Sequence, residues 1–277
     1  MIGVNTWVWV SPLTDDALAA LVPRVSQWGF DVIELPVERP GDWDPGRAAD
    51  LLAAFELGAS VVLTMPPGRE LVGASPRTVQ ETQDYLRHCV DVAVTVGAPA
   101  ISGPAYASVG RTWRMSPDER RAIYAELREN VEPVAAYAAE RGVRIGVEPL
   151  NRYETSVINT VEQALEALPE ECGLALDTYH LNIEEKDPLQ AVRLAGARIA
   201  HIQASGTDRG APGDDHFNWP GFAAAVHDTG YTGPLVIESF TADNTTIATA
   251  ASIWRPLAPS QDALATQGLA FLRSLQH

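Results

Sequence analysis

Four short apolar runs in the second half of the sequence each run into polar residues able to do chemistry. RIGVEP reaches Glu148, LALDTYH reaches Asp177 with His180 three residues on, AHIQA carries His201 and Gln203, and PLVIES reaches Glu238. A carboxylate or imidazole at the end of a buried strand is costly unless a partner or a metal ion satisfies it. Taken singly, each carboxylate is as well explained as a salt-bridged or capping group; four such strand ends in one chain point to a shared centre. Three carboxylates crowded into one pocket repel one another unless a cation sits among them, so a divalent metal is the economical solution. An oxygen-dominated ligand set favours Mn2+ or Mg2+, with Co2+ an alternative if an imidazole joins. His201 and Gln203 are two apart on one strand and face the same way. Either Gln203 ligates through its carbonyl oxygen with His201 behind it, or the roles are reversed.

Further polar groups follow these strands. Glu154 lies six residues after Glu148, in EPLNRYE, and Arg209 and His216 belong to the glycine- and proline-shaped loop SGTDRGAPGDDHFNW. Arg209 is suited to holding a hydroxyl or carbonyl oxygen, and more strongly a carboxylate or phosphate. Trp7, Trp9 and Trp113 offer flat faces on which a sugar stacks, although core or loop packing explains each as well. Tyr106, Arg111 and Trp113 share a long loop that is placed to line a pocket. Asp214 and Asp215 read as a solvated turn.

The elements that must position these groups alternate regularly. Strands are expected at Ile2 to Trp9, Phe30 to Leu35, Ser60 to Met65, Ala100 to Gly103, Val143 to Val147, Leu174 to Leu176, Arg198 to Gln203 and Leu235 to Ile237. Between them lie helix patterns such as Asp15 to Trp28, Pro45 to Leu57 and Pro76 to Val96, stopped by Gly29, Gly58 and Gly97. Ser116, Pro117 and Glu119 spell a capped helix start, and Thr160 with Gln163 another. The loop PPGRELVGASP is longer than a turn needs and is placed to cover a site. His180 falls in a turn before Asn182 to Glu185. Helices over Thr245 to Ile253 and Gln261 to Leu275 bracket WRPLAPS and are expected to close the barrel. Eight strand-helix alternations without a linker predict an α/β protein, a single (β/α)8 TIM-barrel domain over residues 1–277. G-x-G-x-x-G and G-x-x-x-x-G-K-[ST] are absent, which argues against Rossmann and P-loop readings.

Composition narrows the function classes. A formal net charge of -16, from 36 acidic and 20 basic residues, argues against nucleic-acid and anionic-membrane partners. No stretch is long and apolar enough to span a bilayer, and MIGVNTWVWV reads as a first strand and not a signal peptide, so a cytoplasmic setting is expected. Cys89 and Cys172 read as buried hydrophobes of a reducing compartment.

The segments EPLNRYE (Glu148 to Glu154), LDTYHLNIEE (Leu176 to Glu185), IES (Ile237 to Ser239) and IWR (Ile253 to Arg255) resemble the xylose-isomerase-like TIM barrels, and within them the D-tagatose/D-allulose (psicose) 3-epimerases. The resemblance implies that Glu148, Asp177 and Glu238 ligate a metal. It makes Glu148 and Glu238 the acid-base pair of a ketose 3-epimerase and gives Glu154, His180 and Arg209 the oxygens at C1 and C2 of a free monosaccharide. His201 and Trp113 complete the expected substrate contacts, and a homodimer or homotetramer is implied. One departure stands out. The epimerases carry a metal-binding histidine six residues before the arginine matched by Arg209, and here that residue is Gln203. HIQ followed by DRGAPG resembles hydroxypyruvate isomerase instead, so an aldose-ketose or hydroxypyruvate-type isomerase is the alternative. A keto-polyol dehydratase and a non-catalytic sugar-binding barrel rank behind it.

Overall fold

The computed structural model describes residues 1–275. Eight parallel strands close on themselves in sequence order, with β1 paired to both β2 and β8. They are β1 (Ile2–Asn5), β2 (Val32–Val37), β3 (Gly58–Leu63), β4 (Ala100–Gly103), β5 (Arg144–Val147), β6 (Gly173–Asp177), β7 (Ile199–Ala204) and β8 (Leu235–Ile237). Around them run α1 (Asp15–Trp28), α2 (Pro45–Ala54), α3 (Pro76–Val96), α4 (Pro117–Ala139), α5 (Val161–Ala167), α6 (Thr178–Glu184), α7 (Pro188–Ala195), α8 (Trp219–Asp228), α9 (Thr245–Ala250) and α10 (Gln261–Ser274). None of the described helices is long and apolar enough to cross a membrane.

Helix boundaries follow their caps. Thr14 accepts from the Ala17 amide to start α1, and Gly29 ends it with a left-handed φ of 89°. Ser116 and Glu119 form the expected capping box of α4. The apolar faces of these helices pack on the outward residues of the barrel in one continuous core.

Three local departures bear on the site. β1 stops at Asn5, because the Asn5 side chain accepts from the Trp7 amide at 2.8 Å and turns the chain into a short 3-10 segment, Thr6–Val8. β2 continues to Val37, so Glu34 lies inside the barrel and not at its rim. His180 stands in the first turn of α6 and not in an open turn, since Asp177 caps that helix by accepting from the Tyr179 amide at 2.9 Å. The residues after Ala250 also leave the helix earlier than the sequence pattern suggests.

Candidate metal and sugar site

Glu148, Asp177, Gln203 and Glu238 all sit at or just past the C-terminal ends of their strands and are almost entirely buried. They converge because parallel strands around a closed barrel aim alternate side chains at a common axis. Arg209 is threaded among them. Its Nη1 donates to Asp177 Oδ2 and, at 3.0 Å, to Glu238 Oε2. Its guanidinium stacks over Tyr179, 4.0 Å from the ring centre, with Phe240 at 5.3 Å. The loop that delivers it is tight: the Gly206 amide donates to the Gly210 carbonyl at 3.0 Å, and a Cβ on Gly206 would approach that oxygen to 2.8 Å. Arg209 itself is held at φ 70°, a costly backbone state for a residue with a long side chain.

His180 has a defined proton. Its Nδ1 accepts from the Asn151 amide at 2.9 Å, which leaves the proton of the neutral ring on Nε2. Burial, reinforced by the neighbouring Arg209 charge, holds its pKa well below the ordinary imidazole value, so the ring is neutral. Nε2 lies 3.6 Å from both Glu148 Oε1 and Asp177 Oδ2, and 3.1 Å from Arg209 Nη2. Two N–H donors are thus brought together, as an incoming oxygen atom requires. Glu154 faces the same space, with Oε1 accepting from Asn151 Nδ2 at 2.7 Å.

The carboxyls are not equivalent. Burial lifts Glu148 well above the ordinary carboxylate range, and repulsion from Glu238 and Asp177 lifts it further. Burial also lifts Glu238 strongly, against the pull of Arg209. Glu34, fully buried on β2, goes the other way. Its burial alone would raise the pKa, but attraction to His201 and hydrogen bonds from Asn5 and Gln203 outweigh it. Asn5 Nδ2 donates to Glu34 Oε2 at 2.6 Å, Gln203 Nε2 to the same oxygen at 3.1 Å, and Ser60 Oγ to Oε1 at 3.2 Å.

These residues fit a divalent cation. Glu148 and Asp177 present carboxylate oxygens to one space, with His180 Nε2 close to both but carrying its proton as a donor. Gln203 uses its amide nitrogen on Glu238 Oε1, at 2.6 Å, and on Glu34, while its buried Oε1 has no hydrogen-bond partner among the described residues. An unpaired buried carbonyl oxygen beside three carboxylates is a hard donor set suited to Mg2+ or Mn2+. His201 lies on the Glu34 side, its Nε2 2.6 Å from Glu34 Oε1 but off the line of a hydrogen bond.

A cavity of about 470 Å³ opens above this cluster. Glu148, Glu154, His180, Arg209 and Glu238 reach it, as do Trp7 and Phe240, whose rings lie 5.6 Å apart. Two expected substrate contacts lie elsewhere. Trp113 packs beneath Arg111, 4.7 Å from its guanidinium, and does not line the cavity. His201, only 3% exposed, is shut behind Glu34 and Gln203. Trp9 stacks on Trp28 instead of facing the cavity. Tyr106 is fully buried and acts from behind, donating its hydroxyl to the Glu148 carbonyl at 2.9 Å. Asp215 does more than face solvent in a turn, for it accepts from the Phe217 amide and from Trp219 Nε1.

Glu34, Asn5, Asn151 and Glu70 escaped the sequence reading. The available signal was a polar side chain inside an apolar strand for the first two, and none for the others. Glu70 accepts from the Ser108 amide and hydroxyl and from Arg111, which ties the loop after β3 to the loop after β4.

The family described as the xylose isomerase-like TIM barrel matches residues 22–275. The chain belongs to that family. This member is 32% identical to a probable ketose 3-epimerase of Synechocystis sp. over 275 residues, 98% of this chain and 95% of that protein. It is 30% identical to a ketose 3-epimerase of Arthrobacter globiformis over 278 aligned positions, 98% of this chain and 95% of the other. The crystal structure of a D-allulose 3-epimerase from Methylomonas sp. in complex with D-allulose superposes with a TM-score of 0.88 at 28% identity, covering 99% of this chain and 96% of that one. Relatives of this kind, together with the buried Glu148, Asp177 and His180 group, support isomerase or epimerase chemistry on small sugars.

Proposed function

We propose that the protein is a metal-dependent ketose 3-epimerase acting on a free monosaccharide. The observation that carries this reading is the pair of buried, pKa-raised carboxyls Glu148 and Glu238, on strands three apart around the barrel, flanking the neutral His180 and Arg209. Inversion at a carbon requires a base on one face and an acid on the other, and widely spaced strands supply that better than neighbours do. Glu148, Asp177, Glu238 and the Gln203 carbonyl would hold the cation, most favourably Mn2+, with Mg2+ or Co2+ as alternatives. When bound, it polarises the C2 carbonyl and acidifies the C3 proton.

The remaining work falls to the chain. One of the two glutamates removes the C3 proton and the other returns one to the opposite face. His180 Nε2–H and the Arg209 guanidinium donate to the oxygens at C1 and C2, where negative charge develops. Glu154 accepts from a hydroxyl at the same end of the sugar, and Trp7 and Phe240 cover the site against water. The Tyr106 hydroxyl fixes the backbone of Glu148, and Asn151 fixes the His180 tautomer. His201 serves behind Gln203, through Glu34. A cytoplasmic setting and a homodimer or homotetramer accompany this reading, the assembly being checked by light scattering.

Gln203 favours a second reading, proton transfer between C1 and C2 in an isomerase. Incubating metal-loaded protein with a panel of ketoses in deuterated water, followed by NMR, separates the two. Deuterium at C3 in a C3 epimer supports the epimerase. Deuterium at C1 or C2 in an aldose or aldehyde product supports the isomerase.

A further inference from the structure

α6 ends in a pair of acidic residues, Glu184 and Glu185, that the chemistry above does not use. The Glu184 side chain is only 5% exposed. Its Oε1 accepts from the Arg152 amide at 2.8 Å and from Arg152 Nε at 2.9 Å, and its Oε2 accepts from Arg152 Nη2 at 3.1 Å. The guanidinium fork thus meets both carboxylate oxygens, the strongest pairing open to these two groups. Glu185 accepts from the Val161 amide at 2.8 Å. The C-terminal end of α6 therefore grips the segment between β5 and α5 at two points. Next to Arg152, Asn151 opens a turn. Its backbone carbonyl accepts from the Glu154 amide at 3.0 Å and the Thr155 amide at 3.2 Å, and its Oδ1 from the Tyr153 amide at 3.0 Å. Asn151 Nδ2 donates across that turn to Glu154 Oε1, and the Asn151 amide donates to His180 Nδ1 on α6. Glu154, on the cavity wall, is thus aimed by a turn that Glu184 fastens to the helix carrying His180. Arg152 and Tyr153 are exposed, so apolar packing does little to hold the outer side of the turn.

We infer that Glu184 is a positioning residue for the substrate: by clamping Arg152 it sets the Asn151 turn so that Glu154 meets the C1 hydroxyl of the ketose. The inference rests on the epimerase reading. C2 carries the carbonyl, so the C1 hydroxyl is the donor at the end of the sugar that Glu154 faces, and an ionised carboxylate is an acceptor. This contact is remote from the C3–H bond that is broken, so it is alike in the ground and transition states. Its loss raises KM and leaves kcat in place.

The test measures kcat and KM of the full-length, metal-loaded protein on D-psicose and on 1-deoxy-D-psicose, for wild type, Glu184→Gln, Arg152→Ala and the double variant. Glutamine keeps the shape of Glu184 but sets an NH2 group against Arg152 Nη2. Arg152 is exposed, so truncating it keeps the test in force should the Glu184 variant fail to fold. Each single variant should raise KM for D-psicose about tenfold, the order of one hydrogen bond to a charged acceptor, with kcat within about threefold of wild type. The double variant should match the singles, because the pair acts as a unit. On 1-deoxy-D-psicose, which lacks the hydroxyl that Glu154 accepts, KM should stay within about twofold of wild type in every variant. A merely structural role penalises both sugars alike, so equal penalties overturn the proposal, as does a loss confined to kcat; either result leaves the epimerase reading standing. A wild type that binds and converts neither sugar nor any other ketose overturns both.

Discussion

Glu34→Gln tests the support behind the acidic cluster. Glu34 is completely buried, and its two oxygens face Asn5 Nδ2 at 2.6 Å, Gln203 Nε2 at 3.1 Å, Ser60 Oγ at 3.2 Å and His201 Nε2 at 2.6 Å. Glutamine has the same shape but turns one oxygen into a donor. At the Oε2 position it would meet the amide donors of Asn5 and Gln203, so the new NH2 is driven towards Ser60 and His201. Ser60 can rotate to accept, whereas His201 loses the carboxylate oxygen that lies 2.6 Å from its Nε2. Hydrogen bonds to a buried charged group contribute about 1.5 to 3 kcal/mol, and the several that this carboxylate accepts put the change near 3 kcal/mol. For a chain of this length unfolding entropy converts that to a fall in Tm of about 5 °C. The folded-state pKa of Glu34 lies below its ordinary value of 4.5. Its stabilisation is therefore present above that value and is lost as pH falls through the folded pKa. Urea midpoints should differ fully between wild type and variant near neutral pH and draw together in acid. A Tm within about 1 °C of wild type, or a gap that widens in acid, would refute the reasoning.

Three further outcomes follow from the same contacts. Chelation should lower Tm and Mn2+ at a hundredfold excess over its Kd should raise it by about 5 °C, the effect of about 2.7 kcal/mol of binding. Because folding raises the Glu148 and Glu238 pKa values, the metal-free protein should lose stability as pH rises above the ordinary carboxylate value, so this metal shift should grow with pH; a thermal scan indifferent to Mn2+, Mg2+ and Co2+ contradicts the ligand set. Tyr106→Phe removes the hydroxyl that donates to the Glu148 carbonyl and should cost about 1 to 2 kcal/mol in denaturant unfolding. Glu70→Ala unties Ser108 and Arg111 from the loop after β3, whose Met65, Pro66 and Pro67 line the cavity; KM should rise, with faster proteolysis within that loop, and unchanged proteolysis would sink the idea.

The barrel was legible because its signals are local and periodic. The caps at Ser116 and Thr160, the glycines at Gly29 and Gly97 and the β-rich runs each obey short-range rules, and eight repeats of them leave one closed topology. Glu148, Asp177, Gln203 and Glu238 stand out because polar groups at strand ends contrast with apolar runs, and Arg209 because it lies in a loop shaped by glycine and proline. Glu34 does not, since its position depends on β2 running to Val37, a register that pairing with β3 sets. Trp113 failed for a related reason. Its loop is held by Arg111 and Glu70, and no short-range pattern announces a contact between residues 41 apart in the chain. His201 was assigned to the right face, but depth along the strand, two residues below Gln203, decides between touching a ligand and supporting one.

The most direct test of the two-glutamate account is single-turnover exchange with each base removed. Metal-loaded wild type, Glu148→Gln and Glu238→Gln are mixed with each C3 epimer of one ketose in deuterated water, and deuterium at C3 is followed by NMR. The account predicts that wild type labels C3 from either epimer while converting them. Each variant should lose conversion by at least a thousandfold, on the order expected for removing a positioned acid-base group. Each should retain slow exchange from one epimer only, with opposite preference in the two variants. Conversion surviving in either variant, or both variants exchanging the same epimer, would contradict the assignment of opposed faces to Glu148 and Glu238.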